Sequence, residues 1–269
     1  METPRGHDRK VLVCIYELLG QILFMYIALV SGGSGSDSWG IAGPLALFVV
    51  VNIFGGVSGG HFNPAVTLGV YVREAKWAEN FIFMLMILTS QLGGALIGML
   101  LASTVLRVQK DGDWTILPSS VPLLLPSTYT SGVAALTPDT KELATVGFEQ
   151  NWSTFAMEVM CTFVFVLLIL HVTGKKTMGP DLGVYGVPAI CLNLWALCNV
   201  CWFTAPSFNP ALAVGQTVFM YWNYPVNPSN ILFHYLPIYV AGAALGGILA
   251  GAFYNMYAMA FPEKEEEIA

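Results

Sequence analysis

Long apolar runs alternate with short polar breaks along this chain, and six runs are long enough to cross a bilayer as helices. Two shorter apolar runs lie between the second and third long runs and between the fifth and sixth. The pattern therefore predicts an all-α integral membrane protein with six spanning helices and two short ones. The long runs cover residues 11–30, 39–57, 81–105, 154–172, 184–203 and 231–256, and the short runs cover residues 64–71 and 210–220.

Both short runs begin with an asparagine followed by a proline. Asn63 and Asn209 are favoured helix N-caps, while Pro64 and Pro210 have the fixed φ that suits the first helical position. Eight and eleven helical residues measure about 12 Å and about 16 Å, so neither run spans a bilayer alone. Their sum, about 28 Å, is close to the roughly 30 Å of a hydrocarbon core. We therefore predict one split span, with the two helix starts meeting near the midplane.

Composition agrees with a membrane setting. The chain is 55% hydrophobic and 10% charged, with a mean hydropathy of +0.65, whereas soluble domains carry about 25% charged residues. The net charge of -6 arises partly in an acidic C-terminal tail and assigns no partner. The five cysteines lie in apolar runs and are interpreted as packing residues. Cys198 and Cys201 have the spacing of a metal or redox motif, but no second pair or histidine lies nearby in the sequence.

The basic residues predict the orientation of the helices. If all six long runs cross, eight basic residues lie on the side of the termini and three lie on the other, within one long loop. The excess predicts that both termini are cytoplasmic, because cytoplasmic loops are enriched in lysine and arginine. The eight are Arg5, Arg9, Lys10, Arg73, Lys76, Lys175, Lys176 and Lys264, and the three are Arg107, Lys110 and Lys141.

The chain also contains two copies of one plan, in residues 11–105 and 154–258. Glu17 lies 46 positions before the first asparagine, and Glu158 lies 51 positions before the second. Three crossings in each half make the second copy enter from the opposite face, and inverted repeats place a substrate path at their interface. Small residues four apart in the third and sixth long runs predict close helix packing: Gly94 and Gly98, Gly242 and Gly246, and Gly247 and Gly251. The intervening residues, 106–153, are predicted to form a long extracytoplasmic loop.

Two Phe-Asn-Pro-Ala sequences, ending at Ala65 and Ala211, each occupy the same place in a repeat with a buried glutamate. With these two motifs in equivalent places, nearly the whole chain resembles the aquaporin (major intrinsic protein) family. The leucine that follows the second motif is similar to the one found in unorthodox aquaporins, the superaquaporins. The resemblance implies a right-handed bundle of six transmembrane helices and two re-entrant half-helices. It also implies a single channel domain over residues 1–269 and a homotetramer with one pore in each subunit.

The resemblance further implies the roles of individual residues. Asn63 and Asn209 would direct amide donors at a file of water, and Glu17 and Glu158 would accept hydrogen bonds from the backbone N–H groups of the re-entrant loops. The helix N-termini, each with roughly +0.5 charge, would oppose protons and cations. Acceptors along the pore would come from the carbonyl groups of Gly60, His61, Phe62, Pro206, Ser207 and Phe208.

The chain departs from the family where selectivity is normally set. Family members usually carry an arginine three positions after the second asparagine, and this chain has Leu212 there. The family's spacing assigns Gly43, Leu197 and Pro206 to the rest of the constriction. We therefore expect a constriction of small, neutral and apolar side chains. Loss of the arginine and of an aromatic residue would widen the gap and admit larger neutral solutes, whereas a lining of leucine and proline would remove hydrogen-bond partners and favour dewetting.

These features predict a passive channel for water and small uncharged solutes, with glycerol and hydrogen peroxide as candidates, that excludes protons and ions. The lipid bilayer is the expected partner, with no nucleic acid, no cofactor and no metal. An enzyme is disfavoured because the sequence has no clustered nucleophile, base or metal ligands. The alternative is a structural or junctional membrane protein of the same fold, whose pore is closed or conducts poorly.

Overall fold

The computed structural model of this chain describes residues 6–31, 41–110, 113–116, 148–174, 183–201, 204, 206–223 and 229–260. In this part of the chain, eight helices and one two-stranded antiparallel sheet are present. Each predicted apolar run contains a helix, which confirms the bundle of six longer helices and two half-helices. In chain order the elements are α1 (Gly6–Ser31), α2 (Ala42–Ser58), α3 (Pro64–Glu74), α4 (Trp77–Leu106), β1 (Arg107–Lys110), β2 (Asp113–Ile116), α5 (Phe148–Val172), α6 (Gly183–Val200), α7 (Pro210–Asn223) and α8 (Ser229–Met259).

The six longer helices are unequal. Within the described residues, four helices are long and apolar enough to cross a membrane: Asp8–Ser31, Trp77–Leu106, Asn151–Val172 and Phe233–Met259. The other two, α2 and α6, have 17 and 18 residues, which is near the lower limit for a spanning helix. The end of the fifth long run is also corrected: the prediction placed it at residue 203, whereas α6 ends at Val200.

The predicted extracytoplasmic loop contains regular structure at both of its ends. Strands β1 and β2 form a hairpin directly after α4, with Arg107 opposite Ile116 and Lys110 opposite Asp113. At the other end, α5 begins at Phe148, six residues before the predicted start. Residues 117–147 of this loop lie outside the described residues.

Glycines bring the long helices of each half into close contact, as the sequence predicts. A Cβ built on Gly94 would lie 2.6 Å from the Leu18 carbonyl oxygen, so α4 packs directly on the backbone of α1. In the second half, a Cβ on Gly242 would lie 2.7 Å from Cβ of Glu158, and one on Gly246 would lie 2.5 Å from the Val159 carbonyl oxygen. The pairs α1 with α4 and α5 with α8 are therefore equivalent packings in an inverted repeat.

Each half-helix packs against the last long helix of the opposite half. A Cβ on Gly69 of α3 would lie 3.0 Å from the Gly247 carbonyl oxygen of α8. A Cβ on Gly215 of α7 would lie 3.3 Å from the Ala95 carbonyl oxygen of α4. Gly69 and Gly215 each lie six positions after the asparagine of their own motif. The two halves thus hold each other's half-helices inside one bundle.

Replacing Gly247 with alanine is expected to destabilise the protein by about 1–3 kcal/mol, because the new methyl group overpacks a helix contact. It would overlap the Ala65 carbonyl oxygen and lie 3.1 Å from the Ala65 Cα. Gly56→Ala is the matched control, because Gly56 is exposed on α2 and a Cβ there meets nothing within 4 Å. Thermal unfolding of the detergent-purified variants would measure the difference. Equal midpoints for the two variants would contradict this contact.

Candidate functional site

Both half-helices begin at an asparagine cap. The Asn63 Oδ1 accepts a hydrogen bond from the Ala65 N–H at 2.8 Å. The Asn209 Oδ1 accepts from the N–H groups of Ala211 and Leu212 at 3.0 and 3.2 Å. A proline follows each asparagine, so the position that lacks an N–H is the first helical residue. Local sequence is therefore sufficient to start a helix at both places.

The two asparagines also join the two halves. The Asn63 Nδ2 donates to the Phe208 carbonyl oxygen at 2.8 Å, and the Asn209 Nδ2 donates to the Phe62 carbonyl oxygen, also at 2.8 Å. Both asparagines are buried, with 4% and 3% of their surface exposed. An amide nitrogen has two hydrogens, so each Nδ2 retains one further donor after this bond. The starts of α3 and α7 thus meet through a reciprocal pair of hydrogen bonds.

Phe62 and Phe208 precede the two asparagines and share an unusual backbone conformation. Their φ angles are 42° and 53°, a left-handed conformation that side chains other than glycine adopt rarely. Their rings are buried, and the Phe62 ring fills the space beside Gly20, where a Cβ would lie 2.6 Å from its Cδ1. Their carbonyl oxygens accept from the two asparagines. The side chains therefore belong to the core, and both carbonyl groups already have a protein partner.

Glu17 supports the first re-entrant loop from α1. Its Oε1 accepts from the His61 N–H at 3.0 Å, and its Oε2 accepts from the Phe62 N–H at 2.8 Å and from Gln91 Nε2 at 2.8 Å. The carboxylate is fully buried. Three donors on one carboxylate explain how an acid is retained inside an apolar bundle.

A polar network extends from this carboxylate to the first asparagine. Gln91 Nε2 donates to Thr67 Oγ1 at 2.9 Å, and Thr67 Oγ1 donates to the Asn63 carbonyl oxygen at 3.2 Å. The His61 Nδ1 lies 3.1 Å from the same Thr67 hydroxyl. The first loop is therefore held by side chains of α1, α3 and α4.

The second loop is held by an equivalent carboxylate, that of Glu158, but the other side chains that hold it differ from those of the first loop. The Glu158 Oε1 accepts from the Ser207 N–H at 2.7 Å, and its Oε2 accepts from the Phe208 N–H at 3.0 Å. Ser207 Oγ in turn donates to the Asn209 carbonyl oxygen at 2.8 Å. On α8, Tyr239 lies three residues before Gly242, as Gln91 lies three before Gly94, and its hydroxyl donates to the Thr204 carbonyl oxygen at 2.5 Å.

The four predicted constriction residues lie in different environments. Gly43 is in the first turn of α2, where a Cβ would meet nothing within 4 Å. Leu197 is buried on α6, whereas Pro206 and Leu212 are half-buried. Leu212 packs against an apolar cluster that includes Met25 of α1 and Ala211. Their convergence on one constriction stays a prediction. The pore-lining roles predicted for Gly60, His61, Phe62, Ser207 and Phe208 also stay predictions.

A cavity of about 370 Å³ lies beside the first loop and α3. It is lined by His61 and Thr67 near the asparagine, and by Tyr71, Arg73 and Glu74 at the far end of α3. Arg73 donates to Thr173 Oγ1 at 3.0 Å at this end. Polar side chains therefore follow α3 from its first turn to its last.

Sequence reasoning missed three side chains that support the loops. Gln91, Thr67 and Tyr239 are polar residues in apolar runs, and that contrast could have marked them. Their partners lie on other elements, so their roles need the tertiary structure. Within the described ranges, no group of three or more His, Cys, Asp or Glu side chains could hold a metal ion.

Two capped half-helices that meet inside a bundle of apolar helices define a membrane channel fold. The chain belongs to the family described as "Major intrinsic protein", whose model matches residues 10–254. It is therefore an integral membrane channel for water and small solutes and not an enzyme.

Individual relatives agree with this family. The chain is 28% identical over 261 residues to aquaporin-8 of Mus musculus, covering 93% of this chain and 83% of that protein. It is 29% identical over 215 residues to the glycerol uptake facilitator protein-like 6 of Lactiplantibacillus plantarum, covering 78% of this chain and 80% of that protein. The X-ray structure of the aquaglyceroporin from Plasmodium falciparum matches its fold with a TM-score of 0.65 at 16% identity, covering 91% of this chain and 96% of that one.

Proposed function

We propose that this chain conducts water and small uncharged solutes passively through one pore at its asparagine pair and excludes protons and ions. The reciprocal bonds between Asn63 and Phe208 and between Asn209 and Phe62 are the observation that carries the proposal. They hold two helix N-termini at one point, with a spare amide donor on each side. A single-file solute would meet hydrogen-bond donors there, opposite apolar walls.

Ion exclusion follows from the charge at the same point. Each half-helix contributes roughly +0.5 elementary charge at its N-terminus. Because the two ends face each other across the bundle, their fields add where a cation or a proton would have to cross. The carboxylates of Glu17 and Glu158 accept hydrogen bonds from backbone N–H groups of the two loops. Their negative charge is therefore directed at these N–H groups and not at the asparagine pair.

The constriction that we propose consists of Gly43, Leu197, Pro206 and Leu212. None of the four carries a charge or a side-chain hydrogen-bond donor, so we expect an opening that is wider and less polar than one with an arginine. The similarity to a relative named glycerol uptake facilitator protein-like 6 supports the passage of solutes larger than water. We therefore propose that glycerol or hydrogen peroxide passes in addition to water.

We also propose the setting of the pore. Residues 1–269 would form a single channel domain, with both termini cytoplasmic, that assembles as a homotetramer in the lipid bilayer. The distribution of basic residues supports the orientation. Exposed leucine, isoleucine and phenylalanine side chains on the longer helices supply surfaces for lipid and for neighbouring subunits.

Leu212→Arg tests the constriction. A guanidinium adds volume and five N–H donors where the natural chain is apolar, so larger solutes should be excluded before water is. We expect glycerol permeability to fall about tenfold relative to water permeability, which corresponds to about 1.4 kcal/mol of added barrier. Stopped-flow light scattering of reconstituted vesicles measures both rates.

Leu212→Met is the matched control because it retains an apolar side chain of similar volume. If a folded Leu212→Arg protein had an unchanged ratio of glycerol to water permeability, the proposal that Leu212 lines the constriction would be wrong. If the natural protein itself transported nothing beyond protein-free vesicles, the structural alternative would replace the channel proposal.

A further inference from the structure

Two buried thiols meet beside the second re-entrant loop. The Sγ atoms of Cys161 on α5 and Cys201 directly after α6 lie 2.9 Å apart. Both side chains are buried, with 5% and 0% of their surface exposed, and both cysteines are free. They are separated by 40 positions in the chain, so only the packing of α5 against the end of α6 brings them together.

The pair does not follow the local cysteine spacing in the sequence. Cys198 and Cys201 have the Cys-x-x-Cys spacing, but Cys201 makes its thiol contact with Cys161 of the neighbouring helix. A disulfide has an S–S bond of about 2.05 Å. The two sulfur atoms would need to approach each other by about 0.9 Å to reach that length.

The thiol pair connects two supports of the second loop. Cys161 lies three positions after Glu158, whose carboxylate holds the N–H groups of Ser207 and Phe208. On the other side, the Cys201 carbonyl oxygen accepts from the Thr204 N–H at 3.0 Å and from the Thr204 hydroxyl at 3.1 Å. The Thr204 carbonyl is held in turn by Tyr239. A covalent bond between the thiols would fix the spacing between the helix that carries Glu158 and the turn that leads into the loop.

We infer that Cys161 and Cys201 form a redox-active dithiol that hydrogen peroxide converts to an intramolecular disulfide. One sulfur, as thiolate, attacks an oxygen of the peroxide and becomes a sulfenic acid while hydroxide leaves and takes up a proton to form water. The second thiol attacks the sulfenic sulfur, the S–S bond forms, and a second water is released. The two thiols lose two electrons, and one peroxide is reduced to two water molecules. A dithiol reductant reverses the oxidation.

Peptide mapping of the full chain in vesicles tests this inference. The protein is treated with hydrogen peroxide, its remaining thiols are alkylated after denaturation, and the digest is analysed by mass spectrometry with and without dithiothreitol. We expect a linked peptide pair that contains Cys161 and Cys201 and is two hydrogen atoms lighter than the two separate peptides. Dithiothreitol should return both peptides to the alkylatable form.

Cys161→Ser and Cys201→Ser should each abolish the linked pair. Cys191→Ser is the matched control, because Cys191 is a buried free cysteine on α6; this variant should still form the linked peptide pair. The inference is overturned if both thiols of the natural chain remain alkylatable after peroxide, or if they are oxidised without becoming linked. It is also overturned if the bond forms between Cys198 and Cys201 or between two chains.

Discussion

Glu17→Ala is expected to prevent recovery of the folded protein. The substitution leaves the His61 N–H, the Phe62 N–H and Gln91 Nε2 without their carboxylate partner inside the bundle. An unsatisfied buried donor costs about 1–3 kcal/mol, so the three together approach the about 5–15 kcal/mol that stabilises a typical fold. Fluorescence-detected size-exclusion chromatography of the detergent extract would show aggregated or absent protein.

Two further variants separate this effect from a general loss of charge. Glu79→Ala removes an exposed acid in the first turn of α4 and should elute as the natural protein does. Glu17→Gln keeps one acceptor oxygen, so it should retain more folded protein than Glu17→Ala. If Glu17→Ala eluted as a monodisperse protein with the natural unfolding midpoint, the carboxylate would not be the support of the first loop.

Asn209→Asp is expected to make the channel leak protons. A carboxylate can still accept from the N–H groups of Ala211 and Leu212, so the cap of α7 is retained. It can no longer donate to the Phe62 carbonyl oxygen, and its negative charge offsets the partial positive charges of the two helix ends. We expect proton flux to rise at least about tenfold, because a barrier lowered by about 1.4 kcal/mol has that effect.

A pH-sensitive dye inside vesicles, under an imposed potassium diffusion potential, would measure this flux. Asn52→Asp is the control, since Asn52 is exposed on α2 and donates only to the Phe48 carbonyl oxygen of its own helix among the bonds described. Asn63→Asp should leak in the same way as Asn209→Asp, because the two asparagines have equivalent bonds. If a folded Asn209→Asp protein had the natural proton flux, the asparagine pair would not be the cause of proton exclusion.

The starts of the half-helices could be predicted from sequence and their ends could not. An asparagine cap followed by proline is a local arrangement, and both helices begin where it predicts. The predicted ends at residues 71 and 220 were too early, because α3 continues to Glu74 and α7 to Asn223. Helix α3 is capped at its end by Ala75, which has the left-handed conformation with φ 53°. Glycine is the residue that usually marks such an end in a sequence, so an alanine gives no signal there.

The site shows the same division between local and long-range information. The positions of Glu17 and Glu158 follow from the repeat, which is visible in the sequence. The contributions of Gln91 and Tyr239 depend on how α4 and α8 pack, and neither residue belongs to a local motif. Likewise, the sequence favours packing roles for all five cysteines, and the contact of Cys201 with Cys161 depends on how α5 packs against the end of α6.

Osmotic and proton fluxes across vesicles that contain the natural protein test the central claim most directly. Stopped-flow light scattering would follow water and glycerol, and an internal pH dye would follow protons in the same preparation. If the pore lies where the two asparagine-capped helices meet, water or glycerol flux should exceed that of protein-free vesicles while proton flux stays at their level. Solute flux equal to that of protein-free vesicles, or a proton flux that rises together with it, would contradict the account.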